Sequence, residues 1–241
     1  MDTNFILYVA IGFVAQLIDS TLGMAFGSLS SGLLLSTGFP AQALSATVHM
    51  AEIFGGGAAA ISHWRIGNLD LKLLRKLVIP AIIGAILGTF LVTQINNDAL
   101  KPLLGIYFVV IGLVIVVKAL RPAMIRIMNM HRSTLGFIGG FLDAFGGAGW
   151  GEFVSSGLLL RGHNVRNAIG SLVAAEFMVA VTVSVIFYST IGITHWSAII
   201  ALAFGAVIAA PFGAWLCNKI PVVPLTILVG ILISAIGINA L

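Results

Sequence analysis

Six stretches of this chain, at about 41–62, 76–96, 99–119, 165–190, 195–217 and 222–241, are apolar runs with few or no charged side chains. Each is about as long as the ~20 residues an α-helix needs to cross the hydrocarbon of a bilayer at about 1.5 Å per residue. Only 8% of the 241 residues are charged and 59% are apolar, against about a quarter charged in ordinary globular proteins. So few charges cannot cover a soluble surface. The chain therefore reads as an all-α integral membrane protein, a single membrane domain over residues 1–241. The opening MDTNF lacks a basic segment, and Arg65 is the first cationic residue, so a cleaved signal peptide is not expected. Cys217 is the only cysteine, which excludes an internal disulfide and a thiolate metal cluster.

The chain also matches itself at an offset of about 124–125 residues. Gly12-Phe13 recurs as Gly136-Phe137, Asp19 as Asp143, Gly23 as Gly147 and Gly27 as Gly151; SSGLLL from Ser30 recurs from Ser155, and Ala51-Glu52 as Ala175-Glu176. Two of the few acidic residues thus pair in one register. Each copy begins with two apolar arms around a glycine-rich break, at about 4–22 and 28–38, then 133–146 and 152–161. The second arms are short for a crossing. Each arm pair is therefore expected to be a re-entrant or broken helical hairpin, followed by three transmembrane helices. Repeat one covers about 4–120, the cytoplasmic connection about 121–132, and repeat two about 133–241.

Loop charges set the orientation. The net charge of +4 would suggest nucleic acid for a soluble protein; here the cations lie in a few loops and report which side faces the cytoplasm. Arg65, Lys72, Arg75 and Lys76 place the 63–76 loop inside; Lys118, Arg121, Arg126 and Arg132 do so for the connection, and Arg161 and Arg166 for the 161–166 loop. The turns near 36–40 and 190–194 carry no Lys or Arg, and that near 96–101 has Lys101 alone. These are expected outside, with the N-terminus. Equivalent loops then fall on opposite sides, so two inverted-topology repeats are expected, an arrangement typical of transporters with a site near the midplane.

Candidate residues follow from depth. Asp19, Glu52, Asp143, Glu152 and Glu176 lie in or beside membrane-depth segments, where a carboxylate is costly unless it is neutral, paired or facing water. Asp19 and Asp143 suit either proton-linked gating or capping of backbone N–H groups freed at the breaks. Glu52 and Glu176 sit mid-span, where proton coupling or a buried polar contact competes with plain packing. His49 lies one turn before Glu52 and shares its helix face; it could relay protons or be a hydrogen-bonded core histidine. Its repeat equivalent is Val173. His63, His131, His163 and His195 fall in loops and read as solvated. Gly23, Gly27, Gly146, Gly147, Gly149 and Gly151 would let the backbone turn and approach a ligand, with Ser20, Thr21, Ser28, Ser30, Ser31, Ser155 and Ser156 as hydroxyl donors. Close packing through small residues is the alternative, and it accounts for Gly55–Gly57, Gly84 and Gly88. Met24, Met50 and Met178 read as packing rather than a copper path. No phosphate loop, zinc spacing or Ser/His/Asp motif occurs, so no enzyme activity, cofactor or metal is expected.

The paired G-F-x-x-x-x-x-D openings, the glycine-rich breaks and the Ala46-Thr47 and Gly170-Ser171 positions resemble the TauE/SafE sulfite exporter family, formerly a domain of unknown function. The similarity runs over nearly the whole chain. It implies a bacterial or archaeal plasma-membrane carrier of sulfite, a sulfonate or a related small anion, with residues around Asp19 and Asp143 lining the site. IDSTLGMAFG departs from the family's more glycine-rich first break. The expected function is proton-coupled export of a small anion by alternating access, with a passive anion channel or a metal-handling protein as alternatives. The expected partners are the anion and the lipid bilayer, not nucleic acid; a homo-oligomer is compatible with the sequence.

Overall fold

In a computed structural model, residues 3–121, 131–159, 164–217 and 219–241 are described. They form helices α1 (Thr3–Leu22), α2 (Phe26–Ser36), α3 (Ala41–Arg65), α4 (Leu71–Thr93), α5 (Asn97–Leu120), α6 (Arg132–Asp143), α7 (Trp150–Leu159), α8 (Val165–Thr190), α9 (Trp196–Leu216) and α10 (Val222–Ala240), with no strand among the described residues. The short connections carry their own stop and start signals. Asp70 accepts from the amides of Lys72 and Leu73 to open α4, and Asn96 and Asn164 cap α5 and α8 in the same way.

Among the described residues, six helices are long and apolar enough to span a membrane: α1, α4, α5, α8, α9 and α10. Five match the expected spans. The sixth, α1, was expected to be one arm of a hairpin, whereas the expected span at 41–62 falls outside this set. At 25 residues α3 is long enough, but Ser45, Thr47, His49, Glu52 and His63 lower its hydropathy. All five are buried in the protein, so α3 is polar because of what it packs against. Outward-facing apolar side chains such as Phe90, Val110, Phe204, Phe212 and Ile231 form the lipid surface.

Glycine faces bring pairs of helices into backbone contact. A Cβ on Gly12 would be driven into the Leu202 carbonyl of α9, and one on Gly205 into that of Val9 in α1. In the other half, a Cβ on Gly84 would meet the Phe137 carbonyl of α6, and one on Gly140 the Ala81 carbonyl of α4. Further along, Gly213 lies against Leu17 and Ser20, and Gly136, Gly140 and then Phe141 meet Leu77, Ala81 and Gly88 in turn, so residue numbers rise together and both pairs are parallel. Helices α5 and α10, equivalent in the expected repeat, instead run antiparallel, Gly112 lying against Gly230 and Ser234, and Gly237 against Gly105 and Val109. Likewise α3 and α8 are antiparallel, with Gly57 against Phe177 and Asn68, just past α3, against Gly170. The packing reading therefore holds for Gly55, Gly84 and Gly88, while Gly56 makes only ordinary contacts.

The turns at 37–40, 93–95 and 191–195 meet at one end of the bundle, where they line a common cavity. At the other end lie Arg65, Arg75, Arg121, Arg132, Arg166 and Lys219, with Lys219 over the Trp215 ring at 3.4 Å. Arg126, Arg161 and His163 fall outside the described residues.

Overpacking a helix contact costs about 1–3 kcal/mol. Gly84→Ala is therefore expected to lower the thermal unfolding midpoint in detergent by several degrees, and Gly56→Ala to leave it unchanged or raise it. Equal midpoints for the two variants would contradict this packing.

Candidate functional site where two broken helices cross

The two breaks are built alike. α1 ends when Gly23 takes φ 69°, its amide donating to Asp19 O at 2.6 Å; α6 ends before Gly147, φ 66°, whose amide donates to Asp143 O at 2.7 Å. A positive φ with a bond back to the last turn is how glycine closes a helix. The breaks then lie against each other. A Cβ on Gly27 would collide with the Gly147 carbonyl, and one on Gly151 with Gly23 and Met24. The N-terminal ends of α2 and α7 therefore converge on one point.

The carboxyls gather around this crossing. Asp19, Glu52, Asp143, Glu152 and Glu176 are all buried and lie within electrostatic reach of one another. Asp19 accepts from Gln16 Nε2 at 3.1 Å, and the same amide donates to Ser20 Oγ. Asp143 pairs with His49 Nε2 at 3.1 Å. Neither aspartate takes a backbone amide, so capping does not account for them. Glu152 does cap: its carboxyl accepts from Gly149 N at 2.9 Å at the start of α7 and from Ser28 Oγ at 2.7 Å. That second bond joins the two hairpins.

Several buried polar atoms find no donor among the described residues: Gln16 Oε1, Asp19 Oδ1, Ser30 Oγ, Ser31 Oγ, Glu52 Oε2 and Glu176 Oε2, the carboxyls of Asp19 and Glu176 facing each other. A native fold leaves few such atoms unmatched. They belong to the helices that meet at the crossing. No group of three or more His, Cys, Asp or Glu with metal-binding geometry occurs among the described residues.

Other expected site residues have different occupations. Thr21 donates to Leu17 O at 2.6 Å and faces Gly213 O of α9. Gly146 packs against Leu104 and Phe108. Ser155 accepts from Lys118 Nζ at 3.1 Å. The Ser156 side chain is outside the described residues.

Two expectations are corrected. Lys118, assigned to the connection between the halves, lies in the last turn of α5; its ammonium donates to Glu152 O at 2.9 Å and to Ser155 Oγ, fastening α7. His63, assigned to a solvated loop, is fully buried in the last turn of α3. Its Nε2 donates to Ser20 O at 2.9 Å, and Asn68 occupies Nδ1 at 3.2 Å. Both sit at the end of an apolar run, where sequence alone does not separate the last helical turn from the loop. His131 is exposed and His195 stacks on Phe39 at 4.7 Å. Met24 and Met50 pack in the core, whereas Met178 faces outward. Gln16, Ser45 and Tyr107 went unnoticed in the sequence; Gln16 had a usable signal as a lone amide in an apolar arm.

The profile of the family described as "Sulfite exporter TauE/SafE" matches residues 8–240. The chain belongs to the TauE/SafE family. It is 36% identical over 197 residues to the "Probable membrane transporter protein YtnM" of Bacillus subtilis (strain 168), covering 78% of this chain and 66% of that one. It is 30% identical over 171 residues to the "Probable membrane transporter protein ORF9" of Sinorhizobium sp, covering 67% and 63%. The matched region thus spans just under two thirds of these relatives' own length. No solved structure matches the chain. Membership in TauE/SafE and the apolar helices make this a multi-pass membrane protein.

The Ser28–Glu152 bond couples the hairpins of this TauE/SafE chain. A buried hydrogen bond to a charged group contributes about 1.5–3 kcal/mol. In a double-mutant cycle of Ser28→Ala and Glu152→Gln, thermal unfolding is expected to show clear non-additivity. Additive losses would mean the two side chains act separately.

Proposed function

We propose that the protein is a secondary carrier of a small anion, sulfite, a sulfonate or a relative, working by alternating access between inverted-topology repeats. The crossing of the two breaks carries this reading. Two helix N-termini converge there, and their partial positive charge suits an anion. Antiparallel packing of α5 on α10 and of α3 on α8, each an equivalent pair, supports inversion. The family description supports a sulfur oxyanion as the substrate.

The surrounding acids support proton coupling. An anion close to several carboxylates is repelled unless those groups hold protons, because charges interact strongly where water is scarce. Protons and anion are therefore expected to bind together. The unpartnered oxygens of Asp19, Glu52 and Glu176 are acceptors that need a donor, and a proton supplies one.

In proteoliposomes, labelled sulfite and a permanently ionised sulfonate are expected to accumulate on the alkaline side of an imposed pH difference. Uptake that equilibrates and ignores pH would favour a passive channel. Glu176→Gln is expected to reduce the driven accumulation about tenfold, a change of about 1.4 kcal/mol, while the protein stays folded. Unchanged flux would remove Glu176 from the mechanism.

The orientation has its own test. Thr37→Cys should react with an impermeant maleimide from outside the cell, and Asn164→Cys only from inside. Reaction of both from one side would defeat the inverted arrangement. Native Cys217 does not interfere: burial raises its thiol to about 11, against the opposing pull of Arg166.

A further inference from the structure

Beside the crossing, α3 grips the second break through two adjacent residues. Ser45 Oγ donates to Ala144 O at 2.8 Å. One turn on, His49 Nδ1 lies 2.8 Å from Ser45 O and Nε2 lies 3.1 Å from Asp143 Oδ2. A carbonyl oxygen only accepts, so Nδ1 carries a hydrogen. In neutral His49 the Nε2 atom is then a bare lone pair facing a carboxyl oxygen. The contact is attractive only with one more proton in it, whether drawn as Asp143 O–H to Nε2 or as Nε2–H to the carboxylate. Without that proton a lone pair faces an anion, and the contact is repulsive.

This grip lies directly below an opening. A cavity of about 300 Å³ at the Lys101 end is lined by Pro40, Ala46, Thr47, Phe187 and His195 among others. Ala46 and Thr47 lie on α3 between Ser45 and His49. Val48, fully buried, touches Gly147 on the far side of the same turn. What separates the cavity from the crossing is thus the segment held by Ser45 and His49.

We infer that the proton shared by His49 and Asp143 is the coupling proton, and that it latches the second hairpin to α3 so that its loss opens the cavity to the crossing. This deepens the carrier reading and rests on it for the meaning of the proton, though the latch is tested without substrate. The other break has no histidine counterpart; its aspartate, Asp19, takes the Gln16 amide and faces Glu176. Val173 stands where the repeat would place a second histidine, and the first hairpin is held by His63 on Ser20 O, with both ring nitrogens matched in the neutral form. The histidine latch is thus confined to the second hairpin.

The titratable and charged groups facing the pair are Glu52 on α3 itself, Asp19 on α1, Glu152 on α7, Glu176 on α8 and the Tyr107 hydroxyl on α5. Lys118 on α5 faces Glu152. α2, α10 and the 83–93 half of α4 contribute none. Loss of the proton opens the latch, so opening is favoured as pH rises.

The test uses Val48→Cys with Thr47→Cys as reference, each in the full-length protein with Cys217→Ser, and an impermeant maleimide added outside. Thr47 lines the cavity in either state, so the ratio of the two rates removes the reagent's own pH dependence. Across about pH 5 to pH 9 the ratio is expected to rise by about tenfold per pH unit through the transition, the response to one released proton. In Asp143→Asn, where an amide N–H can donate to Nε2 without titrating, the ratio should stay low and flat. In Asp143→Ala it should be high and flat. A flat ratio with Asp143 intact, or a pH response that survives in Asp143→Asn, overturns the assignment. Unchanged Thr47→Cys labelling shows that each variant keeps the cavity. Failure of sulfite flux alone would count against the carrier and leave the latch standing.

Discussion

A helix can stop at membrane depth only where something other than lipid satisfies the backbone it frees. Both hairpins face this constraint, and the rest of the architecture answers it. Each break is covered by the other through Gly27 and Gly147, and the carbonyls released there take donors from surrounding helices. His63 reaches Ser20 O, Ser45 reaches Ala144 O, and the Tyr107 hydroxyl lies between Leu142 O and Ala148 O. Trp150 at the start of α7 ties its indole to Leu172 O of α8. Side chains that look like scattered polar residues in a greasy sequence are the partners of a broken backbone.

The same constraint explains which helix departs from the hydropathy pattern. α3 supplies Ser45, His49 and His63 to both hairpins and Glu52 to the centre, so its polar face is covered by protein while Phe54 and Ile61 face outward. Its counterpart in the expected repeat, α8, keeps Glu176 but has Val173 and Tyr188 where α3 has the two histidines. The two halves share a backbone plan and divide the polar work unequally.

Much of this was legible in the sequence because the evidence there is periodic. Apolar length reveals most of the crossings. Glycines flanking Asp19 and Asp143 located both breaks to within a few residues. What escaped was contact across long sequence separation. Nothing local to Lys118 says that it points back at Ser155 rather than out into a loop, and nothing local to Thr21 says that its hydroxyl faces α9 instead of the crossing. Glu152 illustrates the middle case: its depth was clear, yet its use as a helix cap and as a bridge to Ser28 required both hairpins in place. The pairing of His49 was likewise invisible, since its neighbour in sequence is Glu52 and its neighbour in space is Asp143.

The glycine faces have a consequence for biogenesis. The notched surface of α1 is complementary to α9, a helix that begins at Trp196, and the ribosome makes the two far apart in time. Until α6 and α7 emerge, the polar groups of α3 have neither Asp143 nor the second hairpin to engage, and until α9 emerges α1 lacks the backbone its glycine face fits. The first half of the chain therefore waits in the bilayer as a set of inserted but unassembled segments. Final packing is concentrated at the end of synthesis, when one arriving helix completes contacts seeded nearly two hundred residues earlier.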